Sequence, residues 1–171
     1  MKTSNSIERK ILDPVSLKQH LAYWKLFNKT IVFTNGCFDI LHPGHLASLQ
    51  LAAGYGDVLL VGLNSDASVR RLKGDHRPIN QQQARAMMLA GFSFVDGVII
   101  FEEDTPRDLI VDIMPNYLVK GGDYRPEQIA GAAEVLQHGG EVVLNPIIEG
   151  FSTTSIIEKT KKQTGHDENR S

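Results

Sequence analysis

The sequence predicts an α/β domain whose five strands form a Rossmann-like, doubly wound parallel sheet with helices on both faces. Three observations predict this class. β-Branched and aromatic runs alternate along the chain with segments whose apolar residues recur at helical spacing. The run at 57–63 is almost continuously apolar, as expected of a strand that is buried on both faces. The intervals between the runs also suit right-handed crossovers between parallel strands.

Each predicted element has its own signal in the sequence. Asp13 and Pro14 form an N-cap and a first helical position, and apolar residues then recur at helical spacing as far as Trp24. Gly139 ends the helix that precedes the last strand. The predicted strands are 30–34, 57–63, 97–101, 116–120 and 141–144. Further helices are predicted after His45, from Ser65, over 80–92, from Thr105, over 126–138 and over 152–162.

Composition limits the classes of protein to which the chain can belong. A leading helical segment at 1–27 precedes one domain at 28–163, and the polar tail at 164–171 is expected to be disordered. The net charge of -2 provides no general cationic field, so nucleic acid is not an expected partner. The sequence has no apolar run of signal-peptide or membrane-spanning length, and its single cysteine cannot form an internal disulfide. We therefore expect a cytoplasmic protein with no membrane partner.

Polar and glycine-rich segments follow three of the predicted strands. They occupy 35–45 after the first strand, 120–123 after the fourth and 149–154 after the fifth. In an open parallel sheet, ligands bind beyond the carboxyl ends of the strands, near the point where strand order reverses. We therefore expect the three loops to converge on one ligand site.

The first loop ends in His42-Pro43-Gly44-His45, at a predicted helix start. Gly44 lets backbone approach a ligand closely, both imidazoles can point at one phosphate, and a helix amino terminus offers unpaired N–H groups to an anion. The alternative is a capping histidine beside a buried one. A metal site is disfavoured, because no further nitrogen ligand lies nearby and Asp39 would have to complete it.

The other two loops are less specific. At the fifth strand, consecutive hydroxyls stand at a predicted helix start, where they can gather round a phosphate or serve as an ordinary N-cap. These hydroxyls belong to Ser152, Thr153 and Thr154. At the fourth strand, Gly122 and Asp123 either contact a ligand or form a turn and a helix cap.

The densest basic cluster lies in a segment that is predicted to be a loop. Its members are Arg70, Arg71, Lys73 and Arg77. A solvated surface is one interpretation, and capture of a substrate phosphate by Lys73 and its neighbours is the other. Arg85, on the next predicted helix, can reach the same phosphates. Cys37 has no base beside it, so we interpret it as a small residue beside the ligand and not as a nucleophile.

Two common nucleotide-binding motifs are absent from the sequence. It contains neither a G-x-x-x-x-G-K-[ST] loop nor a G-x-G-x-x-G motif after the first strand. Kinase and dehydrogenase functions are therefore disfavoured.

Taken together, the motif residues resemble a known family. Residues 34–45 (TNGCFDILHPGH) and 150–154 (GFSTT) resemble the cytidylyltransferase-like nucleotidyltransferase superfamily. Residues 64–66 (NSD), 71–74 (RLKG), 101–106 (FEEDTP) and 118–124 (LVKGGDY) narrow the resemblance to the adenylyltransferases of the ADP-heptose pathway. The resemblance covers residues 28–160 and implies that 28–163 is a nucleotidyltransferase domain, in a form that stands alone without a kinase domain.

The resemblance also implies an activity and a role for each site residue. The implied reaction joins ATP to D-glycero-β-D-manno-heptose 1-phosphate, with Mg²⁺ on the triphosphate, and yields pyrophosphate and ADP-heptose for the lipopolysaccharide core. His42, His45 and Lys73 would be catalytic, and Lys73 and Arg77 would bind the sugar phosphate. The nucleotide would be bound by Cys37, Phe38, Gly44, Arg85, Gly122, Asp123, Gly150, Ser152, Thr153 and Thr154.

Two other functions stay open. The signature loops are shared with cytidylyltransferases that act on glycerol 3-phosphate or a similar polyol phosphate. A nucleotide-binding regulator without catalysis is the second alternative, although the intact His42 and His45 argue against it. The chain departs from many relatives at Gln83-Ala84, where they carry an acidic residue and glutamine, and from some at Ile157, where they carry arginine. The resemblance further implies a homodimer.

Overall fold

The computed structural model describes residues 7–122 and 124–146. The strands are β1 (Ile11–Leu12), β2 (Ile31–Gly36), β3 (Val58–Asn64), β4 (Gly97–Phe101), β5 (Tyr117–Gly121) and β6 (Glu141–Asn145). The α-helices are α1 (Pro14–Leu26), α2 (Pro43–Ala53), α3 (Asp66–Lys73), α4 (Gln82–Ala90), α5 (Arg107–Ile113) and α6 (Ala132–Gln137). Short 3-10 helices occupy Glu8–Lys10 and Pro126–Gln128.

Capping side chains explain where two of the helices start. At α1, the Asp13 carboxylate accepts the backbone N–H of Ser16 at 2.7 Å, and the Ser16 hydroxyl accepts the N–H of Asp13 at 3.0 Å. At α3, the Ser65 hydroxyl accepts the backbone N–H of Ser68 at 3.1 Å. The predicted starts of both helices are confirmed.

The six strands form one parallel sheet in the order β1-β4-β3-β2-β5-β6. This topology confirms the predicted α/β, doubly wound class. The prediction of five strands omitted β1, in which Ile11 lies opposite Val98 of β4. A strand of two residues is too short for an alternating pattern to be recognised in sequence.

Each face of the sheet carries its own hydrophobic layer, because successive residues of a strand point to opposite faces. Phe33 and Leu60 belong to a buried cluster with apolar residues of α1, α5 and α6. Val32 and Val61 belong to a second cluster with residues of α2 and α4. The helices therefore cover both faces, and the polar residues at the strand ends are left at one edge.

Two predicted segments differ from the structure. The helix predicted over 126–138 is a 3-10 turn followed by α6, because Gly131 adopts a φ of 81° between them, which is outside helical geometry. The basic segment predicted as a loop is helical as far as Lys73, the last residue of α3.

Several predicted features lie outside the described residues. They are Asp123, the loop residues Gly150, Ser152, Thr153 and Thr154, and the helix predicted at 152–162. Over the ranges 7–122 and 124–146, no helix combines the length and the apolar character that crossing a membrane requires.

Candidate functional site

Strand order reverses between β2 and β5. The chain passes from β2 through β3 to β4 on one side, whereas β5 and β6 lie on the other side of β2. Val32 and Phe33 of β2 lie opposite Tyr117 and Leu118 of β5. The crevice beyond the carboxyl ends of strands at such a reversal is the usual ligand site of this architecture. The loops that follow β2 and β5 both leave the sheet there, as predicted.

The loop after β2 turns sharply at Phe38, whose φ of 45° is uncommon for a residue with a side chain. The Phe38 ring folds back over Gly36, where an added Cβ would lie 3.0 Å from the ring. A larger residue at position 36 would therefore displace Phe38. The ring also meets the imidazole of His45 edge-on, with a centroid distance of 5.2 Å. Phe38 thus links the start of the loop to the second histidine.

The two histidines meet at the amino terminus of α2. His42 is the N-cap, and its Nδ1 accepts the backbone N–H of His45 at 3.3 Å. The two imidazole rings stack with centroids 3.7 Å apart. The capping interpretation is therefore correct for one nitrogen of His42, whereas His45 is only partly buried. Both rings lie at one helix start, where a phosphate would be stabilised.

Both imidazoles favour the uncharged form. Burial lowers the pKa of His42 below its ordinary value. Burial and the neighbouring His42 ring lower the pKa of His45 to about 4. Because Nδ1 of His42 accepts a hydrogen bond, its Nε2 carries the proton in the neutral ring and is a donor. The Nδ1 of His45 is buried and has no hydrogen-bond partner within the described part of the chain.

Asp39 fastens the loop after β2 to the segment 77–80. Its side chain, in a residue only 3% exposed, accepts the backbone N–H groups of Ile79 at 2.7 Å and Asn80 at 2.9 Å. Arg77 Nε donates to the same carboxylate at 2.5 Å. Burial opposes ionisation of Asp39, but these donors outweigh it and hold its pKa below the ordinary value. The Arg77 guanidinium, predicted to bind substrate, is thus engaged with a carboxylate.

Arg85 ties the loop after β2 to the loop after β3. The residue is 1% exposed, and its Nη1 donates to the carbonyls of Cys37 at 2.5 Å and Asn64 at 2.9 Å. Its Nε donates to the carbonyl of Asn80 at 2.9 Å, and its Nη2 pairs with the Asp66 carboxylate at 2.7 Å. The side chain has 0% exposed surface, so its charge faces the loop carbonyls and the Asp66 carboxylate and not solvent. Direct contact of Arg85 with a triphosphate stays a prediction.

Two cavities open beside these loops. The first has a volume of about 350 Å³, and Asn64, Lys73 and Asp104 belong to its wall. The second has a volume of about 220 Å³, and Phe38 and His45 belong to its wall. We call them the lysine cavity and the histidine cavity. Five wall residues are common to both: Asn35, Gly36, Cys37, Lys120 and Tyr124.

Cys37 and Lys73 both lie in the wall of the lysine cavity. Lys73 ends α3 and is exposed. Burial raises the pKa of the Cys37 thiol, which therefore stays protonated and weakly nucleophilic at neutral pH. This protonation state agrees with the interpretation of Cys37 as a wall residue and not a nucleophile.

The rest of the basic cluster is partly neutralised. Arg71 Nε pairs with the Asp104 carboxylate at 2.7 Å, and its guanidinium also donates to the carbonyl of Glu102. With Arg77 bound to Asp39, two of the four cations predicted to form the cluster are paired with carboxylates. Lys73 is the member of the cluster that lines the lysine cavity.

Of the three predicted glycines, the two that lie within the described residues occupy different parts of the site. Gly44 lies in the first turn of α2, between the two histidines. Gly122 follows β5, and its N–H donates to the carbonyl of Asn145 at 3.2 Å. The carboxyl ends of β5 and β6 therefore lie side by side.

Sequence reasoning assigned no role to Lys120, Asn35 or Asp66. Lys120 Nζ donates to the Asn35 side-chain oxygen at 3.0 Å, across the reversal between β5 and β2. The available signal was the position of Lys120 at the end of a strand predicted to border the ligand site. Asp66 had no such signal, because its partner Arg85 lies on α4, 19 residues further along the chain.

Comparison with known proteins assigns the chain to a family. A sequence model described as Cytidylyltransferase-like matches residues 33–159. The bifunctional protein HldE of Bradyrhizobium diazoefficiens is 54% identical over 154 residues, which cover 90% of this chain and 31% of that protein. HldE of Haemophilus influenzae is 52% identical over 151 residues, covering 88% of this chain and 32% of that protein. The chain thus spans about a third of the length of these curated relatives.

Two solved structures resemble the fold. The lipopolysaccharide core biosynthesis protein from Thermoplasma volcanium has a TM-score of 0.56 and 26% identity, over 70% of this chain and 97% of that one. Pantoate-beta-alanine ligase from Francisella tularensis has a TM-score of 0.55 over 80% of this chain and 66% of that one. At 17% identity, the second likeness concerns the fold alone.

Proposed function

Because the chain belongs to the cytidylyltransferase-like family, we propose that it is a nucleotidyltransferase that joins ATP to D-glycero-β-D-manno-heptose 1-phosphate. The products would be pyrophosphate and ADP-heptose, a precursor of the lipopolysaccharide core. The observation that carries the proposal is the stacked pair His42 and His45 at the start of α2, beside two cavities at the strand reversal. The heptose substrate is supported by the ADP-heptose motifs in the sequence and by the identity to bifunctional HldE proteins.

The two cavities suggest a separate binding place for each substrate. We assign the triphosphate to the histidine cavity, because the imidazole of His45, in the first turn of α2, lies in its wall. We assign the sugar phosphate to the lysine cavity, where Lys73 provides a full positive charge. The reacting atoms would then meet along the wall that the cavities share.

The reaction needs little covalent chemistry from the protein. An oxygen of the sugar phosphate attacks the α-phosphorus of ATP, in line with the departing pyrophosphate. This oxygen is already anionic, so no general base is required. The site must instead position two polyanions that repel each other and stabilise the charge of the transition state. His42 and His45 would serve as neutral donors to the triphosphate.

The other site residues would shape the nucleotide pocket. We propose that Cys37 and Phe38 line the pocket. Arg85 and Arg77 would act mainly through the loops that their hydrogen bonds hold. The family resemblance supports nucleotide contacts by Gly44, Gly122, Asp123, Gly150, Ser152, Thr153 and Thr154.

ATP would enter as its magnesium complex. Mg²⁺ typically binds substrate phosphates and keeps several waters. Among the described residues, no three His, Cys, Asp or Glu side chains are grouped so as to hold a metal ion. The carboxylate of Asp104, in the wall of the lysine cavity, is already paired with Arg71. We therefore propose that the triphosphate oxygens, and not a set of protein side chains, carry the metal ion into the site.

Location and assembly are proposed on different grounds, the first on the composition of the sequence and the second on the family resemblance. We propose that the protein acts in the cytoplasm, where ATP and sugar phosphates are available, and that it forms a homodimer. Sedimentation of the purified chain would measure its oligomeric state.

Pyrophosphate release tests the proposed function. The chain is incubated with ATP or CTP, paired with heptose 1-phosphate or glycerol 3-phosphate. We expect the fastest release from ATP with heptose 1-phosphate. Faster release from CTP with glycerol 3-phosphate would instead identify a polyol-phosphate cytidylyltransferase. ATP binding without release from any pair would identify a nucleotide-binding regulator.

A further inference from the structure

Lys120 lies where the chain reverses strand order. It is the fourth residue of β5, which neighbours β2 in the sheet. Its ammonium donates to the side-chain oxygen of Asn35 at 3.0 Å and lies 3.5 Å from the Asn35 carbonyl. The ring of Tyr124 is 6.0 Å away, measured to its centroid. Lys120 is thus fixed above the end of β2 by neutral groups.

The charge of Lys120 has no carboxylate partner in the described part of the chain. The ion pairs found there involve Lys29, Arg71, Arg77, Arg85 and Arg107. The residue is only partly exposed, and this burial lowers the pKa of Lys120. A partly buried charge without a counterion is costly unless an anion completes the site. The environment of Lys120 therefore suits a bound anion.

The position of Lys120 indicates which part of a ligand it would meet. Its side chain belongs to the walls of both the lysine cavity and the histidine cavity. Lys73 belongs only to the first of these walls, and His45 only to the second. Lys120 therefore lies between the residues assigned to the acceptor phosphate and those assigned to the triphosphate.

Resting on the proposed function, we infer that Lys120 is a catalytic residue whose ammonium contacts the phosphoryl group that is transferred. In this step, a bond forms between an oxygen of the acceptor phosphate and the α-phosphorus. The bond from the α-phosphorus to the bridging oxygen breaks, and pyrophosphate leaves with its electron pair. No proton moves. Negative charge crowds at the α-phosphoryl oxygens as two anions approach, and a fixed ammonium offsets it.

Three substitutions separate this role from a purely structural one. Lys120→Met removes the charge and the hydrogen bond to Asn35. Lys120→Gln keeps a donor for Asn35 but has no charge, and Lys120→Arg keeps a charge. Lys29→Met is the matched control, because Lys29 is an exposed lysine paired with Asp57 outside both cavities.

The expected results are a turnover lowered about a hundredfold in both Lys120→Met and Lys120→Gln, and a loss of about tenfold or less in Lys120→Arg. Calorimetric titration with magnesium ATP should show affinity weakened about tenfold in Lys120→Met, as for a lost charged hydrogen bond. Lys29→Met should match the unsubstituted chain in both measurements. Denaturant unfolding of each variant confirms that the comparison is between folded proteins.

Several outcomes would overturn the inference. Near-normal turnover in Lys120→Gln would show that Lys120 only holds β5 against β2, through its hydrogen bond to Asn35. Weakened ATP affinity with unchanged turnover would place the ammonium on the nucleotide but away from the reacting phosphorus. If the unsubstituted chain releases no pyrophosphate, the proposed function fails, and the ATP titration alone then decides whether Lys120 contacts an anion. Unchanged affinity in Lys120→Met would in that case reject the contact.

Discussion

Arg85 on α4 and Lys120 at the end of β5 both border the loop after β2, but their partners differ. Arg85 pairs with the Asp66 carboxylate and donates to three backbone carbonyls. Lys120 donates to the neutral oxygens of Asn35. The planar guanidinium suits several fixed acceptors at once, whereas the ammonium is a compact charge on a flexible stem. The comparison indicates that Arg85 holds the loops together, whereas the charge of Lys120 is available to a ligand.

The largest expected difference between the two cations is in stability. Arg85→Met strands the Asp66 carboxylate and the carbonyls that the guanidinium serves, so we expect the free energy of unfolding to fall by about 3 to 5 kcal/mol. Lys120→Met strands no charge in the described residues, and we expect a change of less than about 1 kcal/mol. Urea unfolding of both variants measures the difference.

Arg107→Met provides the control for the loss of an arginine, because Arg107 is exposed and pairs with Asp108 and Glu134 on the surface. Its unfolding free energy should change by less than about 1 kcal/mol. Equal losses in Arg85→Met and Lys120→Met would contradict the proposed difference, because both cations would then stabilise the fold.

The next largest effect concerns the uncharged donors of the same site. We expect His45→Ala or His42→Ala to lower turnover by about a hundredfold or more, because each removes a donor to the transition state. The fold should survive, since His45 is only partly buried and His42 contributes one cap. Steady-state release of pyrophosphate measures turnover, and His138→Ala, at an exposed histidine, is the control. Near-normal turnover in a folded variant would contradict the catalytic assignment.

The sequence predicted the regular parts of this fold because their signals are local. The Asp13 cap, the apolar run that becomes β3 and the strand–helix alternation are each readable within a few residues. The two-residue β1 had no such signal, and the break at Gly131 depends on a backbone angle that many glycines do not adopt.

The site was predictable to a lesser degree. The histidines stand three residues apart on one helix start, so their meeting follows from spacing. The basic residues were interpreted as one cluster, yet Arg71 and Arg77 bind different carboxylates. These pairings join residues that are 33 and 38 positions apart in the chain, and such contacts leave no periodic pattern.

Lys73 is a third cation to compare, because it shares the lysine cavity with Lys120 but is exposed. We predict that Lys73→Ala raises the Michaelis constant for heptose 1-phosphate and lowers turnover, while ATP binding changes little. A lost charged hydrogen bond costs about 1.5 to 3 kcal/mol, which is about a tenfold to hundredfold loss of kcat/KM. Steady-state kinetics with the sugar phosphate and calorimetry with ATP test the two halves, with the exposed Lys25→Ala as control. A large loss of ATP affinity with unchanged acceptor kinetics would place Lys73 on the triphosphate.

The smallest expected effect is on the pH dependence of the free energy of unfolding. It concerns His45, which is uncharged at neutral pH, unlike Arg85 and Lys120. Its pKa of about 4 in the folded chain lies below the ordinary 6.5, so the unfolded chain binds more protons between these values. The free energy of unfolding should therefore fall as pH drops from 6.5 towards 4, and this contribution should level off below that range. The ring is partly exposed, so solvent screening reduces the effect, and we expect about 1 kcal/mol. Comparing urea unfolding of the unsubstituted chain and His45→Gln between about pH 7 and pH 5 isolates this contribution, with His138→Gln as the control. The same pH dependence in all three proteins would show that the solvation of His45 is similar in the folded and unfolded states. The claim that burial keeps His45 uncharged would then be wrong.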